Sequence, residues 1–390
     1  PGVLEGAFVS SDVGAGTITG LDAADALAVP GVVRVLGPGD LGELAAVDHW
    51  AAGQGTLPLV DREIRHEGQP VALVLATSRL AALEAARLVR VAIERAPVRG
   101  DLDAHRAEGV EVKDWAPART SIGSVDEGLA GADVVVAATY RTADRHHAAV
   151  EPSGVIARWD GDALELWTST QWVFGVRAAL SQALGVPVER IRVRAPFVGG
   201  GFGGKGSCWP HEILAAAAAR VVGAPVRIVL TRRDVFTGQG HQPATIQEVT
   251  LGARRDGALT AIRHRCWNSA AMADDYVEHG SLGSRELYAC PNIETADLIV
   301  RLNRPQPTFM RAPHEGPGMV ALEIAMDELA CSLGIDPLEL RIRNHTPVHA
   351  GSGKPYSSKA LLDCYRIGAE RFGWADRPTA PGSRLDGDEL

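Results

Sequence analysis

The chain has 390 residues, 46% of them hydrophobic, and a formal net charge of −9 at pH 7. This length allows two or three domains with their own cores, and the acidic balance argues against nucleic acid as a main partner, because phosphate binding needs a basic surface. No run of 18 apolar residues occurs, so no membrane span is predicted. The five cysteines are scattered without CxxC spacing, which argues against a disulfide framework and against zinc or iron–sulfur ligation within this chain.

The first part of the chain has the pattern of a small α/β unit. Apolar periodicity predicts, in chain order, a strand over 2–9, a helix over 21–27, a strand over 71–76, a helix over 78–87 and a strand over 88–94. The stretch that follows is rich in Pro, Gly, Asp and Arg and has no periodicity. We therefore interpret 1–105 as a first domain, 106–123 as a linker and 124–390 as a second unit.

The second unit alternates strands with helices, so the predicted fold class is α+β (mixed α/β). The strands are expected over 134–140, 154–159, 163–168 and 246–251. An amphipathic helix should run from Val173 to a stop at Gly185, and a later one should end at Gly334, with Asp336-Pro337 starting the next. The alanine run at 215–219 predicts a packed helix.

Residues 199–205, Gly-Gly-Gly-Phe-Gly-Gly-Lys, are the most distinctive segment. They follow an alternating strand predicted from Ile191 to Phe197, and such a glycine density lets the backbone approach a bulky group closely. A P-loop would need Ser or Thr directly after its lysine, but Gly206 stands there, so a nucleotide-binding ATPase is a less favoured alternative. A dinucleotide fingerprint would need an acidic residue about 20 positions on, and Glu212 is too early and Asp234 too late.

Other polar residues give weaker signals. His146, His147 and Glu151 lie in a stretch without helical pattern, where we expect packing or the lining of a substrate channel. The pairs Asp274-Asp275 and Arg232-Arg233 are expected to be solvated loop charges. His241 and His279 have no partner at ligand spacing in the sequence.

Several motifs occur together in a fixed order: TSTQ at 168–171, VGGGFGGKG at 198–206, FMRAP at 309–313, ALEIAMDELA at 321–330 and PLELR at 337–341. In this order they resemble the molybdopterin-binding subunit of the xanthine dehydrogenase and aldehyde oxidase family over nearly the whole chain. The continuation Trp209-Pro210-His211 is most similar to the bacterial aldehyde-oxidising type.

The resemblance implies a truncated α/β hammerhead domain followed by the first part of the large molybdopterin-cofactor-binding domain. It implies a molybdenum held by the dithiolene sulfurs of molybdopterin, with no protein side chain ligating the metal directly, and the cytosine dinucleotide form of the pterin. The reaction would hydroxylate an aldehyde or an N-heterocycle with oxygen from water. Electrons would leave through [2Fe-2S] and FAD groups on partner subunits.

The resemblance also assigns roles to residues. Gln171 matches the glutamine whose amide donates to the metal's oxo ligand, Phe202 lies in the loop on the metal's apical side, and Arg311 matches an arginine at the cofactor pocket. The full expected cofactor-binding set is Gln171, Gly200, Gly201, Phe202, Gly203, Gly204, Arg311 and Ala312, and the expected substrate-side residues are Gly206 and His314.

Three departures from related enzymes bear on the substrate. Ala312 stands where carbon monoxide dehydrogenases have a copper-bearing cysteine, and Gly206 stands where purine hydroxylases have a glutamate. His279 falls near the position of a second purine-binding arginine. The pocket is therefore expected to be that of an aldehyde oxidase.

The family's catalytic glutamate has no counterpart before Leu390, so the catalytic residue is unknown here and we expect these 390 residues alone to be inactive. The alternative is a catalytically silent truncated subunit or assembly module. The expected compartment is the cytoplasm, with the periplasm left open because the sequence does not start at a methionine.

Overall fold

The computed structural model describes residues 2–48, 52–350 and 352–378. Within these ranges the strands are β1 (Leu4–Ser10), β2 (Gly16–Asp22), β3 (Val32–Leu36), β4 (Glu63–Ile64), β5 (Pro70–Ala76), β6 (Arg90–Arg95), β7 (Arg119–Ile122), β8 (Val134–Thr142), β9 (Gly154–Asp160), β10 (Ala163–Thr168), β11 (Ile191–Arg194), β12 (Val226–Val229), β13 (Thr245–Ala253), β14 (Leu259–Ala271) and β15 (Ile293–Leu302). The α-helices are α1 (Ala24–Leu27), α2 (Arg79–Ala86), α3 (Leu102–His105), α4 (Val125–Ala130), α5 (Val173–Leu184), α6 (Pro210–Val222), α7 (Arg232–Gly238), α8 (Glu315–Leu333), α9 (Pro337–Arg343) and α10 (Leu361–Phe372). The predicted mixture of helices and strands is confirmed.

A seven-stranded sheet joins the start of the chain to its middle. Its strand order is β11-β10-β9-β12-β1-β5-β3. The join is made where β1 lies parallel to β12, with Leu4 opposite Val226. Helices α5 and α6 bury their apolar residues in the core built on this sheet. Residues 215–219 of α6 are almost entirely inaccessible to solvent, which confirms the packed helix predicted from the alanine run.

A second sheet has the order β7-β15-β14-β13-β8, with β14 and β15 parallel and the other neighbours antiparallel. Helix α8 covers it, and Leu322, Met326 and Leu329 pack with Val249 and Ile262. A small third sheet has the order β4-β2-β6. No helix in the described ranges is long and apolar enough to cross a membrane.

The predicted helix ends are confirmed by their capping geometry. Gly185 and Gly334 take left-handed φ values of 64° and 67° after α5 and α8, a conformation that costs glycine little. The Asp336 carboxylate accepts hydrogen bonds from the amides of Leu338 and Glu339 at 2.9 and 3.1 Å at the start of α9.

Two predicted elements are wrong at one end because strand partners decide them. Leu21 and Asp22 were expected in a helix, but they lie at the end of β2 and pair with Val91 and Arg90 of β6. Only Ala24–Leu27 is helical. The strand expected to reach Phe197 ends at Arg194, because β10, its neighbour, pairs with it only as far as Trp167↔Arg194.

The segment interpreted as a linker contains a strand. Residues 119–122 form β7, in which Ile122 pairs with Ile293 of β15. The domain boundaries themselves stay a prediction.

The expectation of a solvated loop charge is wrong for Asp274. Its Oδ1 accepts hydrogen bonds from the amides of Gly55 and Thr56 at 3.1 Å, and burial raises its pKa despite those bonds. Asp275 is half exposed and pairs with Arg301.

The five cysteines are free thiols, as expected. Cys208 and Cys266 are buried and Cys290 is half-buried, whereas Cys331 and Cys364 are exposed.

Candidate functional site

The glycine-rich loop, residues 199–206, connects β11 to α6 through two tight turns. The amide of Gly204 donates to the carbonyl of Gly201, and that of Gly206 to the carbonyl of Gly203, both at 2.8 Å. Gly200 takes a φ of 98°. The fully buried indole of Trp209 donates from Nε1 to the Gly204 carbonyl at 2.8 Å. The loop is therefore anchored from the helix that follows it.

Trp209 is itself tied to a buried carboxyl group. Glu212 accepts hydrogen bonds from the Trp209 amide at 2.9 Å and from the Thr168 hydroxyl at 2.7 Å. Burial raises the pKa of Glu212 to about 7 in spite of these donors. This carboxyl group links the end of β10, the start of α6 and, through Trp209, the glycine-rich loop.

An ion pair between Glu151 and Lys205 ties the two ends of the loop together. The Lys205 side chain is only 5% exposed, and its ammonium group donates to Glu151 Oε2 at 2.6 Å and to the Glu151 carbonyl at 3.0 Å. The same Oε2 accepts the Gly199 amide at 2.7 Å. Partial burial opposes ionisation of Glu151, but these donors outweigh it and lower its pKa. One carboxylate thus holds both ends of the loop.

The position of Lys205 also weighs against the ATPase alternative. In a P-loop the lysine must be free to reach phosphates, and the helix must start beside it. Here the ammonium is committed to Glu151, and α6 begins only at Pro210.

Gln171 lies directly on the loop. Its side-chain Oε1 accepts hydrogen bonds from the backbone amides of Gly203 and Lys205, both at 3.2 Å. The backbone amide of Gln171 donates to the Lys205 carbonyl at 2.8 Å. A Cβ at Gly201 would lie 2.3 Å from Oε1 of Gln171, so a larger residue there would push the Gln171 side chain away from the loop. Because the oxygen is engaged and the residue is exposed, the Nε2 amide is the group that remains for another partner within the described part of the chain.

The Arg311 segment meets the loop on its other side. The Arg311 amide donates to the Phe202 carbonyl at 2.9 Å, and Phe202, Arg311 and Ala312 are all exposed. Phe202, Ala312 and His314 have φ values of 53°, 59° and 66°, and they make up three of the five non-glycine residues with positive φ in the described ranges. Such strained backbone tends to concentrate at functional sites.

His147 supports the loop from the interior, beside Gly204. Its Nε2 donates to the Phe309 carbonyl at 3.0 Å, and burial lowers its pKa. The neighbouring His146 donates to the Val235 carbonyl at 2.8 Å and stacks on Phe236. The packing role expected for the two histidines agrees with these contacts.

A cavity of about 650 Å³ opens next to the end of the loop. Ser207 and Phe309 line it on the loop side, and Trp115, Tyr276 and His314 line it elsewhere. The Cβ of any residue replacing Gly206 would lie 2.9 Å from Cε2 of Phe309, so the phenyl ring occupies the space that a side chain would need.

His279 does not reach this cavity. Its side chain is fully buried, with Nε2 facing Asp114 at 3.1 Å and Nδ1 facing Asp297 at 3.3 Å. Burial disfavours the charged imidazole, but the hydrogen bonds to the two carboxylates outweigh it and raise the pKa of His279 to about 9. His241, the other histidine without a partner in sequence, lies 3.5 Å from Asp144.

The structure brings together every residue expected at the cofactor, since Gln171, the 200–204 backbone, Arg311 and Ala312 form one connected surface. Of the two expected substrate-side residues, His314 lines the cavity, and Gly206 packs against the Phe309 ring, which also lines it. Sequence reasoning missed the loop-closing role of Glu151, for which the only available signal was the spacing of His147 and Glu151, with Pro152 directly after the glutamate. It also missed Asp114 and Trp115, which lie in a segment interpreted as a linker and gave no signal.

The exposed residues of this surface fit an anionic, ring-containing cofactor that carries oxo groups. The Gln171 amide is a donor, Phe202 offers an aromatic face and Arg311 a cation, all on backbone fixed by hydrogen bonds. In the described ranges no group of three or more His, Cys, Asp or Glu residues is arranged to hold a metal ion.

Comparisons with known proteins agree with this arrangement. Residues 107–345 match the model of the molybdopterin cofactor-binding domain, and residues 1–97 match that of the aldehyde oxidase and xanthine dehydrogenase a/b hammerhead domain. The chain is 38% identical over 391 aligned positions to the aldehyde oxidoreductase molybdenum-binding subunit PaoC of Escherichia coli K12, an alignment covering 100% of this chain and 53% of that protein. The chain thus spans about half the length of the curated relatives it matches.

Solved structures give the same result. The aldehyde oxidoreductase from Desulfovibrio gigas superposes with a TM-score of 0.86 and 25% identity, over 96% of this chain and 43% of that one. Quinoline 2-oxidoreductase from Pseudomonas putida 86 superposes with a TM-score of 0.86 and 27% identity, over 96% and 51%. With the family model matching more than half of its residues, the chain belongs to the aldehyde oxidase and xanthine dehydrogenase family of molybdopterin-binding proteins.

Proposed function

We propose that this chain forms one wall of the active site of a molybdenum hydroxylase that oxidises aldehydes. The observation that carries the proposal is the connected surface of Gln171, the glycine-rich loop and Arg311, on which an exposed amide, aromatic ring and cation are held by strained, hydrogen-bonded backbone. When bound, the cofactor would supply the two-electron oxidation, with oxygen derived from water.

The residues of the chain would act by position and polarity. The Nε2 amide of Gln171 would donate a hydrogen bond to the cofactor's polar edge, because Oε1 is held by the loop. Phe202 and the glycines on either side would lie against the cofactor, and Arg311 would balance its negative charge. We propose the cytosine dinucleotide form of the pterin, and [2Fe-2S] and FAD groups on partner subunits that receive the electrons.

Two features favour aldehydes over purines. The Phe309 ring fills the space beside Gly206, so no polar side chain is available there, and His279 turns inward to Asp114 and Asp297. A purine placed against Gly206 would lose water from its polar edge without gaining a side-chain partner at that position, at a cost of about 1–3 kcal/mol for each unpaired group. An aldehyde needs only an apolar slot for its substituent.

The experiment is a steady-state comparison on the complete subunit assembled with its partner subunits. We expect benzaldehyde to be preferred over xanthine by several orders of magnitude in kcat/KM. Comparable constants for the two would overturn the aldehyde proposal, and preferential turnover of quinoline would favour N-heterocycles.

A molybdenum-loaded complex without turnover of any of these substrates would support the silent-module alternative. Metal and pterin analysis of the same preparation separates that outcome from a failure to bind the cofactor. The compartment, cytoplasm in our proposal, can be tested by fractionating the native cells.

A further inference from the structure

The cavity beside the glycine-rich loop has one wall that comes from the segment interpreted as a linker. Residues 112–115 line it, opposite Phe309 and next to His314. Its volume of about 650 Å³ is in the range of sites that enclose a ring-containing small molecule. The chemistry of this wall therefore bears on which substrates enter.

Trp115 presents a large aromatic surface to this space. Its side chain is 65% exposed although it is part of a folded segment, and it lines the cavity. The indole ring centre lies 5.0 Å from that of His279 and 5.4 Å from that of His314. The first contact is T-shaped and the second tilted, so neither histidine stacks flat on the indole, and the exposed part of the ring is available for stacking.

Asp114 fixes Trp115 in this position. Its Oδ1 accepts the Trp115 amide at 2.8 Å, and its Oδ2 accepts Nε2 of His279 at 3.1 Å. Because the other ring nitrogen of His279 faces Asp297, both nitrogens must donate and the imidazole is a cation. Asp297 is in turn held by Arg285 at 2.7 Å and by Ser281 at 2.9 Å. The tryptophan is therefore tied to a buried charge network rather than to a free loop.

His314 completes the same corner. Its Nδ1 accepts the His279 amide at 3.1 Å, and its own amide donates to the buried Glu278 at 2.7 Å. With Nδ1 acting as an acceptor, the ring proton lies on Nε2. Trp115 and His314 thus form an aromatic corner next to the Arg311 segment.

We infer that Trp115 selects substrates with an aromatic ring, by stacking on the ring of an aryl aldehyde while the carbonyl group lies toward the glycine-rich loop. The inference rests on the proposed function. It adds a specificity-determining residue on the 112–115 segment and names one- and two-ring aryl aldehydes as the preferred class. His279 acts as a positioning residue, because it is buried behind the cavity wall and holds Asp114. Asp114 lines the cavity beside Trp115 and ties the backbone of the tryptophan to His279.

The test compares variants of the complete subunit with its partners on 2-naphthaldehyde and acetaldehyde. Trp115→Ala should lower kcat/KM for 2-naphthaldehyde by roughly 10- to 100-fold, because it removes both an apolar contact area and a stacking face. Acetaldehyde should change less than about two-fold, since it has no ring to stack. Trp115→Phe should recover most of the loss, and Trp374→Ala, which changes a tryptophan outside the cavity, should leave the ratio of the two constants unaltered.

A binding measurement makes the result independent of turnover. Calorimetry with 2-naphthamide, which cannot be oxidised as an aldehyde, should show the same roughly 10- to 100-fold weakening in Trp115→Ala, with or without molybdenum in the subunit. Asp114→Asn should weaken binding in the same direction, because the tryptophan loses its charged anchor.

The outcomes separate the two ideas. Wild-type protein that binds 2-naphthamide but oxidises no aldehyde would overturn the proposed function alone. The role of Trp115 would be overturned if the protein is active and Trp115→Ala changes neither the ratio of kcat/KM for 2-naphthaldehyde and acetaldehyde nor the affinity for 2-naphthamide. If Trp115→Ala does not fold, Trp115→Leu decides in the same way, because it keeps apolar bulk and lacks a ring.

Discussion

The ion pair between Glu151 and Lys205 should set the rigidity of the glycine-rich loop, and Lys205→Met tests this. Methionine keeps most of the apolar stem of the lysine and removes the ammonium group. The substitution deletes the 2.6 Å contact to Glu151 Oε2 and the 3.0 Å contact to the Glu151 carbonyl. Glu151 would still accept the Gly199 amide, so only one end of the loop would be released.

The size of the effect follows from the burial of the two partners. Breaking a fully buried ion pair costs roughly 3–5 kcal/mol, because a charge is left without solvent or partner. Here Lys205 is buried, but the Glu151 side chain is 37% exposed and can recover water. We therefore expect a loss of about 2 kcal/mol of local stability in the loop.

Hydrogen exchange read by mass spectrometry on the complete subunit measures this loss. When the exchange rate is proportional to the equilibrium population of the locally open state, a local cost of about 2 kcal/mol makes amide exchange over 199–206 roughly 30-fold faster. The matched control is Arg90→Met, which breaks an exposed pair with Asp25 and should cost less than about 1 kcal/mol. In a double-mutant cycle, Glu151→Gln should be coupled to Lys205→Met by about 1–2 kcal/mol.

Exchange over 199–206 that stays as slow in Lys205→Met as in Arg90→Met would refute this reasoning. Strict additivity of Lys205→Met and Glu151→Gln would do the same, because it would mean that the pair does not act as a unit.

Three further predictions concern the same region. Gln171→Ala should lower the turnover of the complete enzyme by roughly 10- to 100-fold while molybdenum content stays largely intact, as steady-state assays and metal analysis would show; full activity would mean that Gln171 only orders the loop. Burial raises the pKa of Glu212 from 4.5 to about 7, so the folded state keeps a proton that the unfolded state releases, and stability should fall by up to about 3 kcal/mol as pH rises from 4.5 to 7. Thermal unfolding of Glu212→Gln across this range should lack that component. Because the pKa of His279 is raised from 6.5 to about 9, its contribution to folding stability is complete below pH 6.5 and is lost as pH rises through 9. In His279→Gln the melting temperature should therefore depend less on pH between 6.5 and 9 than in the wild type.

Local sequence pattern determined much of the fold. Glycine after an apolar periodic run, and Asp before Pro, predicted the ends of α5 and α8 and the start of α9, because these residues satisfy the free backbone groups of helix ends within a few positions. The family motifs predicted which residues would lie at the cofactor, and the structure joins those residues: Gln171 is hydrogen-bonded to the loop through its side chain and backbone, and the loop to Arg311 through the backbone.

The tertiary structure decided what depends on partners far along the chain. Asp114 and His279 are 165 positions apart, and only the folding of the 112–115 segment against β15 and its neighbours makes them an ion pair. Asp274 and Gly55 are 219 positions apart, so the burial of this carboxylate had no local signal. The ends of β2 and β11 likewise follow from pairing with other strands. Apolar periodicity reports which face of an element is buried, whereas the charge of a buried group and the length of a strand are set by neighbours that the local sequence does not contain.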